Sequence, residues 1–282
     1  MLKVGIFGLG LIGGSIAKAL KDSSPDTILG GFDRSEENAG FVLENKIIDY
    51  LIEDITEEYI KFDLVVIAVP VSELSEILAK LNRIKKKFII TDVCSVKEPV
   101  IKIADQFLTD KLLDFVPGHP ISGLELSGPQ NSRTNLFKDS PVLLTPLSQT
   151  SKKAIEGVSK FWRRMGGIPF IIDPMLHDKC LAATSHLPHV LAYLAIEATK
   201  TLESKDLNRF IGGSFRDLTR VAESSPALWT DIFFSNKTNL IEMIQIFRNN
   251  LDLFQTILEN CDKTAMLSYL DGARKTKIKN KG

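Results

Sequence analysis

Apolar residues in the first part of the chain come in short unbroken runs. Residues 2–7, 28–32, 64–69 and 88–93 each read as a strand, and 142–145 and 170–172 as two more. Between the first two runs, residues 11–21 place apolar side chains at helical spacing. Strands alternating with helices predict an α/β, doubly wound parallel sheet with helices on both faces. The run Leu64, Val65, Val66, Ile67 has no polar interruption, as a strand buried on both faces requires. After Asp173 and Pro174 the texture changes. Residues 175–270 are mostly helical in spacing, with 187–202 and 240–258 as the clearest helices. The expected division is therefore 1–173 and 174–282. The tail, 274–282, is rich in lysine and lacks apolar anchors, so it reads as a solvated or frayed end.

Composition narrows the function classes. Lys plus Arg is 35 and Asp plus Glu is 35, so the formal net charge is zero. A protein that neutralises a phosphate backbone carries a basic excess, so nucleic acid is not the expected partner. No apolar run approaches the roughly 20 residues of a membrane-spanning helix. The amino terminus runs straight into a glycine-rich turn and does not resemble a signal peptide. Three scattered cysteines (Cys94, Cys180, Cys261) suit neither a disulfide framework nor a zinc cluster. A cytoplasmic setting is expected.

Gly8-Leu9-Gly10-Leu11-Ile12-Gly13 fits G-x-G-x-x-G, a weak signal alone. Its context strengthens it: it follows a strand, opens a helix, and Asp33 ends the next strand. Gly8 permits the tight turn, Gly10 lets the backbone approach a pyrophosphate, and Gly13 lets helix and strand pack closely. The helix N-terminus offers free N–H groups to the phosphates. Asp33 is placed to accept hydrogen bonds from the adenine ribose and to repel a 2′-phosphate, which favours NAD over NADP. Arg34 pulls the other way, because an arginine there can grip that phosphate. Val69 and Pro70, where the 64–69 run stops, complete the candidate cofactor residues.

Four histidines are available: His119, His177, His186 and His189. Gly118 and Pro120 flank His119, which predicts a rigid loop near the carboxyl ends of the strands, where open α/β sheets bind ligands. An alcohol dehydrogenase needs a base for the hydroxyl proton, and a histidine with an ordinary pKa of about 6.5 suits that role. A histidine that merely caps loop backbone fits the spacing equally well. His186 and His189 share a helix face. They read as packing residues or as contacts to an anion, and a zinc set completed by His177 or Asp178 lacks a supporting motif. Gly212 and Gly213 precede a helical stretch with Arg216 and Arg220 on one face. Arginine forks grip carboxylates, but surface pairing with an acid such as Glu223 is the commoner outcome for an arbitrary pair. Trp229 reads as core or interface.

Together these segments resemble the prephenate dehydrogenase family over nearly the whole chain. The carrying pieces are the loop Gly8 to Ser15, Asp92-Val93-Cys94-Ser95-Val96-Lys97, Gly118-His119-Pro120-Ile121-Ser122-Gly123, Ser185-His186-Leu187-Pro188-His189 and Phe215-Arg216-Asp217-Leu218-Thr219-Arg220. The resemblance implies a Rossmann-type domain followed by an all-α dimerisation domain. It implies a homodimer that oxidises prephenate with NAD in tyrosine biosynthesis, releasing carbon dioxide and 4-hydroxyphenylpyruvate. Arogenate, the amino counterpart, is the substrate of some members. His119 would accept the ring-hydroxyl proton, and Ser95 would orient it. Arg220 would hold a substrate carboxylate, with His189, Arg216 and Ser185 around the same anionic pocket. Glu125 matches a gating acid, and Trp229 and Gly213 match residues that reach into the partner's site. Two departures stand out: Cys94 where the family often has glycine, and Arg216 in place of a lysine, which keeps charge but changes geometry. Other nicotinamide enzymes with a helical half, such as β-hydroxyacid dehydrogenases, lack the loop around His119. A non-catalytic NAD-binding sensor would bind cofactor without turnover.

Overall fold

The computed structural model describes residues 1–56, 60–109, 111–202 and 207–279. In chain order it begins with β1 (Lys3–Phe7), α1 (Leu11–Ser23), β2 (Ile28–Phe32), α2 (Glu36–Glu44) and β3 (Tyr50–Leu51). Next come β4 (Leu64–Ile67), α3 (Leu74–Asn82), β5 (Ile89–Asp92), α4 (Glu98–Phe107) and β6 (Phe115–Val116). These strands form one sheet of order β3-β2-β1-β4-β5-β6, parallel throughout. Strand order reverses between β1 and β4, which opens a crevice at their carboxyl ends. The apolar runs are explained by burial on both faces. Val65 and Ile67 of β4 enter one core cluster, Leu64 and Val66 the other. Each such side chain contributes about 1.5–3 kcal/mol by leaving water.

Residues 142–145 and 170–172 do form strands, but not in that sheet. β7 (Gly118–Pro120), β8 (Pro141–Leu144), α5 (Lys152–Arg164) and β9 (Ile168–Ile171) follow, and the strands make a second sheet of order β7-β8-β9. β7 runs antiparallel to β8, with His119 opposite Leu143. The loop expected around His119 is therefore a strand. Glycine and proline on either side hide its β character, and pairing with β8 imposes it.

Asp173 caps the first helix of the next stretch: its Oδ1 accepts from the Leu176 N–H at 2.9 Å, and Pro174 takes the first helical position. The helices are α6 (Pro174–Leu181), α7 (Leu187–Thr199), α8 (Gly213–Thr219), α9 (Pro226–Ser235), α10 (Lys237–Glu259) and α11 (Lys263–Lys279), with a π-helical turn over Ala182–His186. Arg274 to Lys279 continue α11 and are not frayed. Asp271 pairs with Arg274 at 3.0 Å and Lys275 at 2.8 Å, and lysine is a good helix former. Residues 280–282 of that expected tail lie outside the described residues.

By compactness the chain divides into Met1–Lys237 and Thr238–Gly282. The second unit holds Phe254 and Tyr269 edge to face at 5.8 Å and exposes Ile241, Leu251, Leu258 and Leu267. Among the described residues, no helix is long and apolar enough to cross a membrane.

Candidate active site

The glycine loop sits where β1 meets α1. Gly8 has φ +93°, and a Cβ there would lie 2.3 Å from the Ala68 carbonyl oxygen. A Cβ on Gly13 would lie 1.9 Å from the Gly8 oxygen, so helix and strand pack too closely for any side chain. Gly10 caps α1 without a side-chain partner and faces open space. Leu11 and Ile12 form the first turn, whose N–H groups point to that space. A cavity of about 300 Å³ opens there, lined by Gly8, Gly10, Asp33, Arg34, Val69 and Pro70 among others. Asp33 accepts from the Leu9 N–H at 2.6 Å and from the Ser35 N–H at 2.8 Å. Each carboxylate oxygen keeps a lone pair for a ribose hydroxyl. Open space over an uncapped helix end, beside a carboxylate, fits a dinucleotide. Arg34 is ion-paired with Glu76 and lies 3.4 Å from Glu73.

His119 is buried on β7, and two networks hold it. In the first, Lys97, fully buried, pairs with Asp92 and donates to the Gly118 carbonyl at 2.6 Å. Asp92 also accepts from the N–H groups of Gly118 at 3.1 Å and Cys94 at 2.9 Å. The pair thus clamps both backbone groups of the residue before His119, which is how two buried charges are kept satisfied. Cys94 is buried in this loop. Its Sγ lies 3.6 Å from the Val69 carbonyl, and burial pushes its thiol well above the usual range.

In the second network, Asp178 accepts from the N–H groups of Lys97 at 2.7 Å and Glu98 at 2.9 Å, capping α4. Its Oδ1 also lies 2.7 Å from His177 Nδ1, and His177 Nε2 lies 3.0 Å from His119 Nδ1. An oxygen already accepting backbone N–H makes His177 Nδ1 a donor. In neutral His177, Nε2 then accepts from the Nδ1–H of His119, which leaves His119 Nε2 with a free lone pair. The tautomers follow from the hydrogen-bond pattern. Burial holds the His119 imidazole well below the ordinary histidine value, reinforced by His177, Lys97 and His186. The orienting partner of His119 is therefore His177. Ser95 is half-buried at the bend between β5 and α4, and no hydrogen bond joins it to His119 among the described residues. Spacing pointed to His177 and Asp178 only as metal ligands. Among the described residues, no group of three or more His, Cys, Asp or Glu converges to hold a metal.

On the helical side, His189 Nδ1 donates to the Ser185 carbonyl at 2.9 Å, which leaves Nε2 free. Its ring stacks on Trp229 of the same chain, with centroids 3.4 Å apart. His186 approaches that indole edge-on, and its Nδ1 lies 3.2 Å from the amide of Asn236. Arg220 is ion-paired with Glu125, not with Glu223, so it is tied to the loop that leaves the His119 strand. Arg216 donates to the Ile211 carbonyl at 2.9 Å and does not join that pair. Gly213 opens α8, exposed, with room where a Cβ would be.

Residues 16–169 match the model of the prephenate dehydrogenase nucleotide-binding domain, and 173–272 that of the dimerization domain. The chain is 36% identical over 279 residues to a cyclohexadienyl dehydrogenase of Zymomonas mobilis, covering 98% of this chain and 94% of that one. It is 34% identical over 271 residues to a prephenate dehydrogenase of Bacillus subtilis, covering 95% of this chain and 73% of that one. A crystal structure of prephenate dehydrogenase from Aquifex aeolicus, in complex with hydroxyphenyl propionate and NAD+, superposes with a TM-score of 0.91. That likeness covers 99% of this chain and 98% of the other, at 32% identity. Matched over both halves by a single family, the chain belongs to the prephenate dehydrogenases.

Proposed function

We propose that this chain oxidatively decarboxylates prephenate to 4-hydroxyphenylpyruvate with NAD, as a cytoplasmic homodimer serving tyrosine biosynthesis. The observation that carries the reading is the free Nε2 of His119, set by His177 and Asp178. Bound at the glycine loop, NAD supplies the acceptor for the hydride that leaves C4 of the ring. His119 Nε2 draws on the C4 hydroxyl proton as positive charge develops on its oxygen. The ring carboxylate departs as carbon dioxide and its electron pair restores aromaticity, after which the proton returns to the phenol oxygen. Charge and atoms balance: one hydride and one carbon dioxide leave, and no net proton. Aromatisation supplies the driving force, so the chain's task is alignment.

Arg220 grips a substrate carboxylate once Glu125 yields it. His189 Nε2, Arg216 and Ser185 border the anionic pocket, and Ser95 faces substrate and nicotinamide. Trp229 and Gly213 shape the same pocket. Residues 1–173 form the dinucleotide-binding domain and 174–282 the substrate-binding and dimerisation domain. The exposed apolar side chains of Thr238–Gly282 support a role in pairing with a second copy. Zero net charge supports a small-molecule substrate without nucleic acid, and three cysteines with free thiols suit a reducing compartment. The cyclohexadienyl name of the Zymomonas relative favours arogenate as a second substrate. Absorbance at 340 nm with prephenate and arogenate, each tried with NAD and NADP, tests the reading. Turnover of prephenate with NAD is expected. Turnover of neither substrate would overturn it.

A further inference from the structure

We infer that Glu73 and Glu76 set the cofactor preference of this chain by occupying Arg34. The inference rests on the NAD reading above and names the side chains that enforce it. Arg34 follows Asp33 at the end of β2, where a guanidinium can grip a 2′-phosphate. Here it is already engaged from across the crevice. Its Nη1 lies 3.4 Å from Glu73 Oε2, and its Nη2 is ion-paired with Glu76. Both acids belong to the segment after β4, in the turn Val71–Glu73 and the first turn of α3. Glu76 also meets Lys80 at 3.1 Å, one turn further on. Lys80 and Arg34 together hold the Glu76 carboxyl below its ordinary range, so it is ionised at neutral pH.

Glu73 lines the cofactor cavity together with Asp33, Arg34, Ser35 and Asn38. The ribose end of that cavity is therefore bounded by carboxylates on two walls. A 2′-phosphate carries about −1.5 to −2 charges near neutral pH. To be held, it must take Arg34 from both acids and lie beside Asp33 as well. A ribose bearing free hydroxyls faces no such exchange, because it needs only the lone pairs of Asp33. Surface pairs of this exposure add little to folding stability. Their consequence is for what Arg34 can bind. Asp33 alone does not decide the preference, since Arg34 beside it offsets its charge. The two glutamates remove that offset.

The test is the Kd of NAD+ and of NADP+ by titration calorimetry for three proteins: wild type, Glu73→Gln/Glu76→Gln, and Arg34→Ala/Glu73→Gln/Glu76→Gln. Thermal melting checks that all three are folded. The expected result is that wild type binds NAD+ more tightly. The double variant should shift the NADP+-to-NAD+ ratio of affinities toward NADP+ by about tenfold or more. The triple variant should lose that gain, because Arg34 is the group released. A wild type that favours NAD+ with a ratio unmoved in the double variant overturns this inference and spares the cofactor reading. A gain that persists in the triple variant also overturns it, since Arg34 is then not involved. A wild type that favours NADP+ overturns the cofactor reading and this inference together.

Discussion

The imidazole of His119 meets that of His177 edge-on, with ring planes 62° apart and Nδ1 to Nε2 at 3.0 Å. One ring thereby fixes the tautomer of the other, and Asp178 fixes the first. His177→Phe keeps an aromatic ring but removes the acceptor, leaving the buried Nδ1–H of His119 unpaired. An unpaired buried donor costs about 1–3 kcal/mol, so turnover should fall roughly 5- to 150-fold. His177→Gln, whose amide oxygen can accept, should recover part of the loss. Steady-state kinetics of both variants, with Kd for NAD+ as a control, check this. Equal losses in the two would assign His177 a packing role only.

Acid pH should act on stability before it acts on the base. Burial, then His177, Lys97 and His186, hold His119 well below the usual histidine range. A base works when neutral, so with His119 in the proposed role kcat/KM should stay level through pH 6.5 and decline only in more acid solution. An inflection at or above pH 6.5 in the rate profile would contradict this. Burial also lowers His186, to about 4. The folded chain then rejects a proton that the unfolded chain accepts below about pH 6.5. Unfolding free energy therefore falls as pH drops from about 6.5 to about 4, by up to about 3 kcal/mol for this residue. Urea denaturation of wild type and His186→Gln should show a shallower acid slope in the variant, by about 1.4 kcal/mol per pH unit.

Glu125 is ion-paired with Arg220, so a substrate carboxylate held by that arginine, as proposed, would have to displace it. Arg220→Ala should raise KM for prephenate about tenfold or more with a smaller change in kcat, the signature of lost ground-state binding. Glu125→Gln should move KM the opposite way by freeing the guanidinium. Initial rates across a range of prephenate concentrations distinguish the two directions, and a KM raised by both variants would deny the competition.

The dinucleotide half was legible because its signals are local. The run at Leu64 is unbroken because both faces of β4 are buried, and Gly8 and Gly13 stand where no Cβ fits. The change to helical spacing after Asp173 and Pro174 coincides with the start of α6. What stayed hidden depends on contacts distant in sequence. His177 and His119 are 58 positions apart, and no spacing rule joins them. A lysine with no exposed surface is not foreseeable from charge alone, yet Lys97 is placed by Asp92 and the Gly118 carbonyl. Arg220 finds its acid in another loop and not in Glu223 three residues on, because the chain brings Glu125 beside it. Position alone makes Arg34 a candidate for binding phosphate, and only the fold brings the acids of α3 and the turn before it to meet it across the crevice.

Nε2 of His119 is the proposed proton acceptor. Replacing His119 by Asn removes that base while leaving the cofactor cavity untouched. Measured together, kcat with prephenate and Kd for NAD+ give the most direct answer. The prediction is a loss of about 100-fold or more in kcat, in the range of a general base, with NAD+ still bound at near wild-type affinity. A variant that turns over prephenate at near wild-type rate would show that His119 is not the base.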